Sequence, residues 1–223
     1  MKLTTQQIES INQILIAKGL NFDDLKVEVL DHIATEIEEK IQNTNCAFDV
    51  AFKEVLEKWE PEFKPSFSGF IGFTNPRIMT VKCHKIVKRQ FLTAIATSSL
   101  LTLVFLLFVR NSSLGLFLAA IQGTLRSFVL LEFGLVALAW ILIWRSKHQT
   151  TYGYLMNKKS AGIMIFLLMM GIGLFPVKIN HPDVKIAFVS VFAAIIYIVS
   201  TKIYLKLAYK HFEFVKKISL VKP

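Results

Sequence analysis

The sequence predicts an all-α membrane protein, in which a cytoplasmic three-helix N-terminal domain is followed by a four-helix transmembrane bundle. The mean hydropathy over 223 residues is +0.50 and 53% of the side chains are hydrophobic, which is more apolar than an ordinary soluble domain. Four long apolar runs lie after residue 90, whereas residues 1–60 have the periodicity of amphipathic helices. We therefore divide the chain into a helical domain (1–60), a linker (61–75) and a membrane domain (76–223).

The first two helices have recognisable start and stop signals. Thr4 is a favourable N-cap and Gln7 follows three residues later, which is the spacing of a capping box. Gly19 can adopt the left-handed conformation that ends a helix. Asn21 is the expected N-cap of the second helix, with Asp24 at its third position. These signals predict a short helix followed by a longer one.

Apolar residues recur at helical spacing in the second and third helices. The core stripe predicted for the second helix contains Leu30, Ile33, Ile37 and Ile41. The apolar side predicted for the third helix contains Phe48, Phe52, Val55 and Trp59. We expect Pro61 to end the third helix, because proline lacks the N–H that an inner turn needs.

One face of the second helix carries the most distinctive polar pattern of the domain. Glu28, His32 and Glu36 are four residues apart and therefore share a face, and Leu25 and Val29 border it. This face is interpreted as a docking site for a partner, a pH-tuned contact, a weak metal site or a plain solvated surface. A structural zinc site needs four ligands and no cysteine pair is near, so we predict no metal. The five residues are our candidates for partner docking.

The order of these helices resembles a known bacterial domain. The segments concerned are Asp31-His32-Ile33, the acidic run 36–39 and residues 48–56. Over residues 4–60 they resemble the HAAS-type cytoplasmic helical domain, which precedes membrane spans in bacterial proteins implicated in signalling. The genes of such proteins commonly neighbour PadR-type transcription regulators. The resemblance implies a bacterial protein with a regulatory role, and it implies no catalytic residues.

The linker and the segment after it lead into the membrane. Residues 61–75 are rich in phenylalanine and interrupted by glycine and proline. We therefore expect them to lie at the lipid interface or to pack between the helical domain and the membrane. Asn75 and Pro76 form a cap with proline at the first helical position, which predicts one continuous helix from Pro76 into the first span. We expect the basic segment before that span to attract the N-terminal part of the chain, because residues 1–65 contain thirteen acidic residues and seven lysines.

The four apolar runs are predicted transmembrane helices at about 91–109, 127–144, 161–177 and 186–204. A bilayer core of about 30 Å requires about 20 apolar residues as helix. Three runs meet the lower limit of about 17 residues, and the fourth reaches it when Lys185 and Lys202 snorkel toward the interfaces. Residues 114–121 are apolar but too short to cross, which predicts a re-entrant or interfacial piece, and residues 111–113 match a glycosylation sequon.

Basic residues predict the orientation of the spans. Five precede the first span, four lie between the second and third, and six follow the fourth, against four in the opposite loops. This asymmetry predicts a protein of the bacterial inner (plasma) membrane with both termini on the cytoplasmic side. The excess basic residues behind the net charge of +10 flank the spans, where we expect them to contact anionic lipid head groups. We expect no nucleic-acid partner.

Glu132 is the one acidic residue inside the four runs. An ionisable residue within a membrane is by default a functional candidate, here for ion or proton coupling. Alternatively, it snorkels from near the outer end of the second span, or pairs with Arg126 or Arg110. The functional reading leads to the alternative function, a channel or transporter subunit that acts as a homo-oligomer.

No catalytic motif is found, so we predict no catalytic residue and no cofactor. Cys83, His84, His148 and His211 all fall at the predicted cytoplasmic edge, where they would bind a metal only if the fold brought them together. With Cys46, the chain has two cysteines, too few for a secreted disulfide framework. The leading hypothesis is a non-enzymatic inner-membrane protein whose helical domain docks a cytoplasmic partner in signalling or regulation. A membrane enzyme is the third reading.

Overall fold

A computed structural model of the chain describes residues 2–69, 71–111, 115–175, 177 and 184–221, with backbone only at 73–75, 110, 111, 115–123, 184 and 221. The described residues confirm an all-α fold with one short hairpin. The elements in order are α1 (Thr5–Ala17), α2 (Asp23–Thr44), α3 (Phe48–Phe63), β1 (Pro65–Ser68), β2 (Gly72–Pro76), α4 (Arg77–Asn111), α5 (Gly115–Trp144), α6 (Thr151–Gly171) and α7 (Val184–Val221).

The chain forms two compact units. The first contains Met1–Val87 together with Lys147–Thr151, and the second contains Lys88–Ser146 together with Tyr152–Pro223. The first unit thus extends beyond the helical domain that was predicted at 1–60, because it includes the hairpin, the start of α4 and a short segment between α5 and α6.

The ends of α1 confirm the sequence prediction. The Thr4 side chain accepts a hydrogen bond from the Gln7 N–H, and the Gln7 side chain accepts one from the Thr4 N–H (2.8 Å). At the other end Gly19 has φ = +86°, and the N–H of Leu20 bonds the carbonyl of Leu15. Together with the bond from Gly19 to Ile16, this is a Schellman motif, which satisfies the last carbonyl groups of the helix.

The start of α2 differs from the prediction. Phe22, not Asn21, is the N-cap residue, and no side chain caps the helix. Asp24 does not take part in capping α2, because its carboxylate accepts a hydrogen bond from Thr151, which is far away in the sequence. The fully buried apolar positions of α2 are Leu25, Val29, Ile33 and Ile37. Leu30 and Ile41 of the predicted stripe are only half-buried.

The end of α3 and the linker also differ from the prediction. Pro61 lies inside α3, which continues to Phe63. Phe63 is buried and its ring stacks on that of Trp59, so the last turn gains apolar contacts that outweigh the missing hydrogen bond. The chain then turns back in the antiparallel hairpin β1–β2, which occupies most of the segment predicted as a linker (61–75). Phe67 of β1 is exposed to the extent of 61%.

The predicted continuous helix into the first span is confirmed. It is α4, which begins at Arg77 rather than Pro76 because Pro76 is the last residue of β2. α4 therefore belongs to the first unit as far as Val87 and to the second unit from Lys88.

Among the described residues, three helical segments are long and apolar enough to cross a membrane: Arg77–Val109, Thr124–Trp144 and Lys185–Leu220. They correspond to the first, second and fourth predicted spans. α5 begins at Gly115, so residues 115–121 continue into the second span instead of forming a separate piece. Residues 112–114, which include two positions of the sequon, lie outside the described residues.

The third predicted span, 161–177, is not one helix. α6 ends at Gly171, and a second Schellman motif follows, in which Gly173 has φ = +85° and the Leu174 N–H bonds the Met169 carbonyl (2.9 Å). The helical part of this apolar run has a length of about 16 Å at 1.5 Å per residue, about half of a bilayer core. α6 is therefore not among the three helices that meet the length and composition of a span, and the four-span bundle is not confirmed.

The second unit has a core between α5, α6 and α7. Val129, Leu167, Met170 and Ala194 form this cluster. Gly171 permits close approach of the helices, because a Cβ at this position would lie 2.5 Å from Cδ2 of Leu130.

Candidate functional site

The first turn of α2 holds the segment that connects α5 to α6. The backbone N–H of Asp23 donates to the carbonyl of Gln149 (2.8 Å). The carboxylate of Asp23 lies 3.0 Å from Nδ1 of His148, and Lys26 is 3.5 Å away on the same helix. These contacts join residues that are about 125 positions apart in the sequence, and all of them lie within the first unit.

Asp24 makes the most buried contact of this region. The N–H of Thr151 donates to Oδ1 of Asp24 at 2.7 Å, and the Thr151 hydroxyl donates to Oδ2. Asp24 is 7% exposed and Thr151 is fully buried. Thr151 is the first residue of α6, where backbone N–H groups have no partner inside the helix. Asp24 therefore caps α6 from a different helix, and its negative charge favours that helix terminus.

Lys82 of α4 completes the arrangement. Its ammonium nitrogen lies 2.6 Å from Oε2 of Glu28 and 3.5 Å from Oδ2 of Asp24. The sequence suggested that the basic segment before the first span attracts the acidic N-terminal part of the chain, and Lys82 makes this contact within the first unit. The adjacent Cys83 is fully buried. We name the set the α2 junction: Asp23, Asp24, Glu28, Lys82, His148, Gln149 and Thr151.

The α2 junction is suited to positioning the elements that it connects. Each of its three carboxylates, on Asp23, Asp24 and Glu28, already accepts a hydrogen bond or pairs with a cation. Charge-assisted hydrogen bonds of this kind are stronger than neutral ones, and burial increases the cost of breaking them. The network fixes the start of α2 against the residues that begin α6.

The five predicted docking residues are divided between the core and the surface. Leu25 and Val29 are 2% and 1% exposed, so the expectation that they border a docking face is corrected: they belong to the core. Glu28 pairs with Lys82.

Glu36 pairs with Lys58 of α3 at 2.9 Å. His32 is exposed, and no hydrogen bond or ion pair joins it to any residue that the structure describes. Asp31, Thr35 and Glu39 are exposed on α2 as well. The exposed surface of α2 therefore combines acidic side chains with neutral ones, and it includes Val27, which is 50% exposed.

The four residues considered for a metal have separate environments. Nδ1 of His84 lies 3.2 Å from the Ser68 hydroxyl, and His148 pairs with Asp23. Cys83 is buried in the first unit, whereas His211 is buried in the second. In the described part of the chain, no three His, Cys, Asp or Glu side chains come together as a metal site would require.

Glu132 lies close to the middle of α5 and is 6% exposed. The predicted snorkelling is therefore wrong, because the carboxyl group is packed inside the second unit, where its hydrogen-bond partner is the side chain of Thr201 in α7. Arg126 does not pair with it: the Arg126 guanidinium faces Gly173, where a Cβ would be 3.0 Å from Cζ. The Arg110 side chain lies outside the described residues.

The sequence did not indicate the α2 junction. Two acidic residues in the first turn of a helix are common, because they stabilise the helix dipole, so Asp23 and Asp24 gave no specific signal. Thr151, at the polar start of a helix, was the one local hint of a cap. The pairing itself is a tertiary contact, which no local pattern of residues specifies.

No family model, curated protein or solved structure matches this chain. Its class is therefore defined by its own features. It is an all-α protein with a helical N-terminal unit and, among the residues that the structure describes, three helices long and apolar enough to cross a membrane.

Proposed function

We propose that this chain is a non-enzymatic protein of the bacterial inner membrane, with both termini in the cytoplasm, whose N-terminal helical domain docks a cytoplasmic protein partner in signalling or regulation. The observation that supports this most is the α2 junction. One helix, α2, presents an exposed polar surface around His32 and also holds the residues that begin α6. A partner bound on α2 therefore acts on a helix that is hydrogen-bonded to the segment between α5 and α6.

The charge of the exposed surface suggests the chemistry of the partner. Residues 1–65 have a net negative charge, and Asp31 and Glu39 are exposed on either side of His32. A partner surface rich in lysine and arginine is complementary to it. Exposed charge pairs contribute only about 0–1 kcal/mol each, so they act mainly on the rate and specificity of association.

The proposed orientation requires an even number of crossings. Among the described residues, three helices meet the criteria for a span, and the apolar part of α6 with the apolar residues that follow it is the remaining candidate for a fourth crossing. The lysines of α6, Lys158 and Lys159, lie before the apolar part and suit a cytoplasmic interface with anionic lipid head groups. Fusion of a reporter enzyme to each terminus in turn tests this topology, and activity of either reporter in the periplasm refutes it.

Partner docking is tested by site-specific photo-crosslinking in intact membranes. A photoreactive amino acid at His32, on the exposed side of α2, is expected to give a discrete adduct. The same amino acid at Lys53, exposed on α3, is the matched control. Asp31→Lys is expected to abolish the adduct at position 32, because it repels a basic partner, whereas Glu57→Lys on α3 leaves it unchanged. Equal adducts at both positions, or none, refute the docking surface.

A second candidate function, a channel or transporter subunit that acts as a homo-oligomer, is favoured by the burial of Glu132 alone. Ion flux into vesicles that contain the purified protein should then fall in the Glu132→Gln variant. Equal flux for the wild type and this variant removes the candidate.

A further inference from the structure

The Glu132 carboxyl group is placed where a charge is expensive. It is buried between α5 and α7, and its Oε2 atom has no hydrogen-bond partner. Burial of an ionised carboxylate without full compensation costs several kcal/mol, whereas a neutral carboxylic acid costs much less. The surrounding membrane adds no water that would lower this cost.

The nearby cations do not neutralise Glu132. Among the described side chains, no lysine or arginine nitrogen comes within the 4.0 Å of an ion pair with Glu132. Lys202 of α7 contributes a longer-range attraction, but it is exposed. Arg126 is occupied at the end of α6, facing Gly173.

The hydrogen bonds of Thr201 indicate which group holds the proton. The Thr201 hydroxyl donates to the backbone carbonyl of Tyr197, one turn earlier in α7, at 3.1 Å. A hydroxyl group has one proton to donate and two lone pairs that accept. While this proton is on Tyr197, the Thr201 hydroxyl offers Glu132 a lone pair, which a neutral carboxyl group can fill by donating its proton and an ionised carboxylate cannot. A carboxyl group that donates carries a proton.

The geometry points to Glu132 as a proton-binding site in the interior of the second unit, where the neutral carboxylic acid donates to Thr201. A metal cation fits less well, because hard cations need about six oxygen ligands, and the described surroundings supply the Thr201 hydroxyl besides the carboxyl itself. A proton needs a single acceptor. This inference concerns the state of one residue and does not depend on partner docking by the N-terminal domain.

The test uses dicyclohexylcarbodiimide, an apolar reagent that modifies protonated carboxyl groups inside membranes. The carboxyl oxygen bonds to the central carbon of the reagent while the carboxyl proton passes to one of its nitrogens. The product rearranges to an N-acylurea of the same composition, so no group leaves and no redox change occurs. An ionised carboxylate has no proton for this step.

The full-length protein is labelled in vesicles of phosphatidylcholine and phosphatidylglycerol and mapped by mass spectrometry. We expect one adduct at Glu132 in the wild type, complete loss of that adduct in Glu132→Gln, and no change in Glu213→Gln, which removes an exposed acid of α7. A wild-type protein without an adduct at Glu132 overturns the inference.

A second measurement keeps the inference testable if Glu132→Gln does not fold. In maltoside micelles, which contain no ester carbonyl, infrared spectra of the wild type should show the C=O band of one protonated carboxyl group. Thr201→Val keeps the carboxyl group and removes its acceptor, so the band should shift to higher frequency. Absence of the band in the wild type, or a band unaffected by Thr201→Val, overturns the inference.

Discussion

Replacement of Asp24 by asparagine should release the start of α6 from α2. The side chain keeps its size, but the charge is lost and one of the two acceptor oxygens becomes an NH2 donor. In the structure both oxygens accept hydrogen bonds from Thr151, one from its N–H at 2.7 Å and one from its hydroxyl. The substitution therefore replaces two bonds to a charged acceptor with two neutral ones, since the Thr151 hydroxyl must turn to accept from the new NH2 group.

The size of the effect follows from these two bonds. A hydrogen bond to a charged group contributes about 1.5–3 kcal/mol, and a neutral one about 0.5–1.5 kcal/mol. Lys82 retains Glu28 at 2.6 Å, so no buried cation is left unpaired to increase the loss. We expect Asp24→Asn to lower the free energy of opening at Thr151 by about 2 kcal/mol, which corresponds to amide exchange about thirtyfold faster.

The assay is hydrogen exchange, followed by mass spectrometry on peptides that cover residues 147–151 of the full-length protein. Asp31→Asn is the matched control, because it makes the same chemical change at an exposed position of α2 and should stay within about 0.5 kcal/mol of the wild type. If Asp24→Asn and Asp31→Asn exchange equally at Thr151, the Asp24 carboxylate does not cap α6, and α2 is not coupled to the segment between α5 and α6.

Two further predictions follow from packing: one concerns a substitution and the other the reactivity of a thiol. Gly171→Ala places a methyl group 2.5 Å from Cδ2 of Leu130, whereas a Cβ at Gly162 meets nothing within 4 Å. Gly171→Ala should therefore be less stable in thermal unfolding than Gly162→Ala by about 1 kcal/mol, the low end of the cost of overpacking, because the Leu130 side chain is 39% exposed and has room to move. Equal stability of the two variants contradicts the close helix approach. Cys46 is half-buried and Cys83 fully buried, so maleimide should modify Cys83 at least about a hundredfold more slowly than Cys46 in the folded protein. Comparable rates by mass spectrometry refute the burial of Cys83.

Local signals in the sequence were predictive where the structure satisfies them locally. Thr4 and Gln7 are three residues apart, and Gly19 acts on the carbonyls of its own helix, so no distant residue enters either motif. Asn21 and Asp24 have the same local pattern, but the Asp24 carboxylate finds better donors on Thr151. A capping pattern therefore predicts a helix start only when its side chains have no tertiary partner.

The helix ends that were predicted wrongly are also set by tertiary contacts. α3 continues through Pro61 because burial and stacking of Phe63 stabilise one more turn. α6 stops at Gly171 although the apolar run continues, because Gly173 adopts a left-handed conformation at a helix end that the Arg126 guanidinium faces. Hydropathy records the composition of such a run and contains no information on where its hydrogen bonds end.

The candidate docking face was mispredicted in its apolar half because α2 packs against both α1 and α3. A helix with two neighbours buries a wide arc of its surface, so Leu25 and Val29 are inside together with Ile33 and Ile37. The four-residue spacing correctly placed Glu28, His32 and Glu36 on one side, but it gave no indication of how far the buried arc extends.

The cap that Asp24 supplies to α6 affects how an experiment that removes α1, α2 and α3 should be interpreted. A shortened chain that begins after α3 lacks the docking surface, but it also leaves the Thr151 N–H without its acceptor and frees the α5–α6 segment. Loss of a cellular phenotype in such a truncation would therefore not separate a missing recruitment surface from a frayed helix. Point substitutions on the outer side of α2, with Asp24 intact, make that distinction.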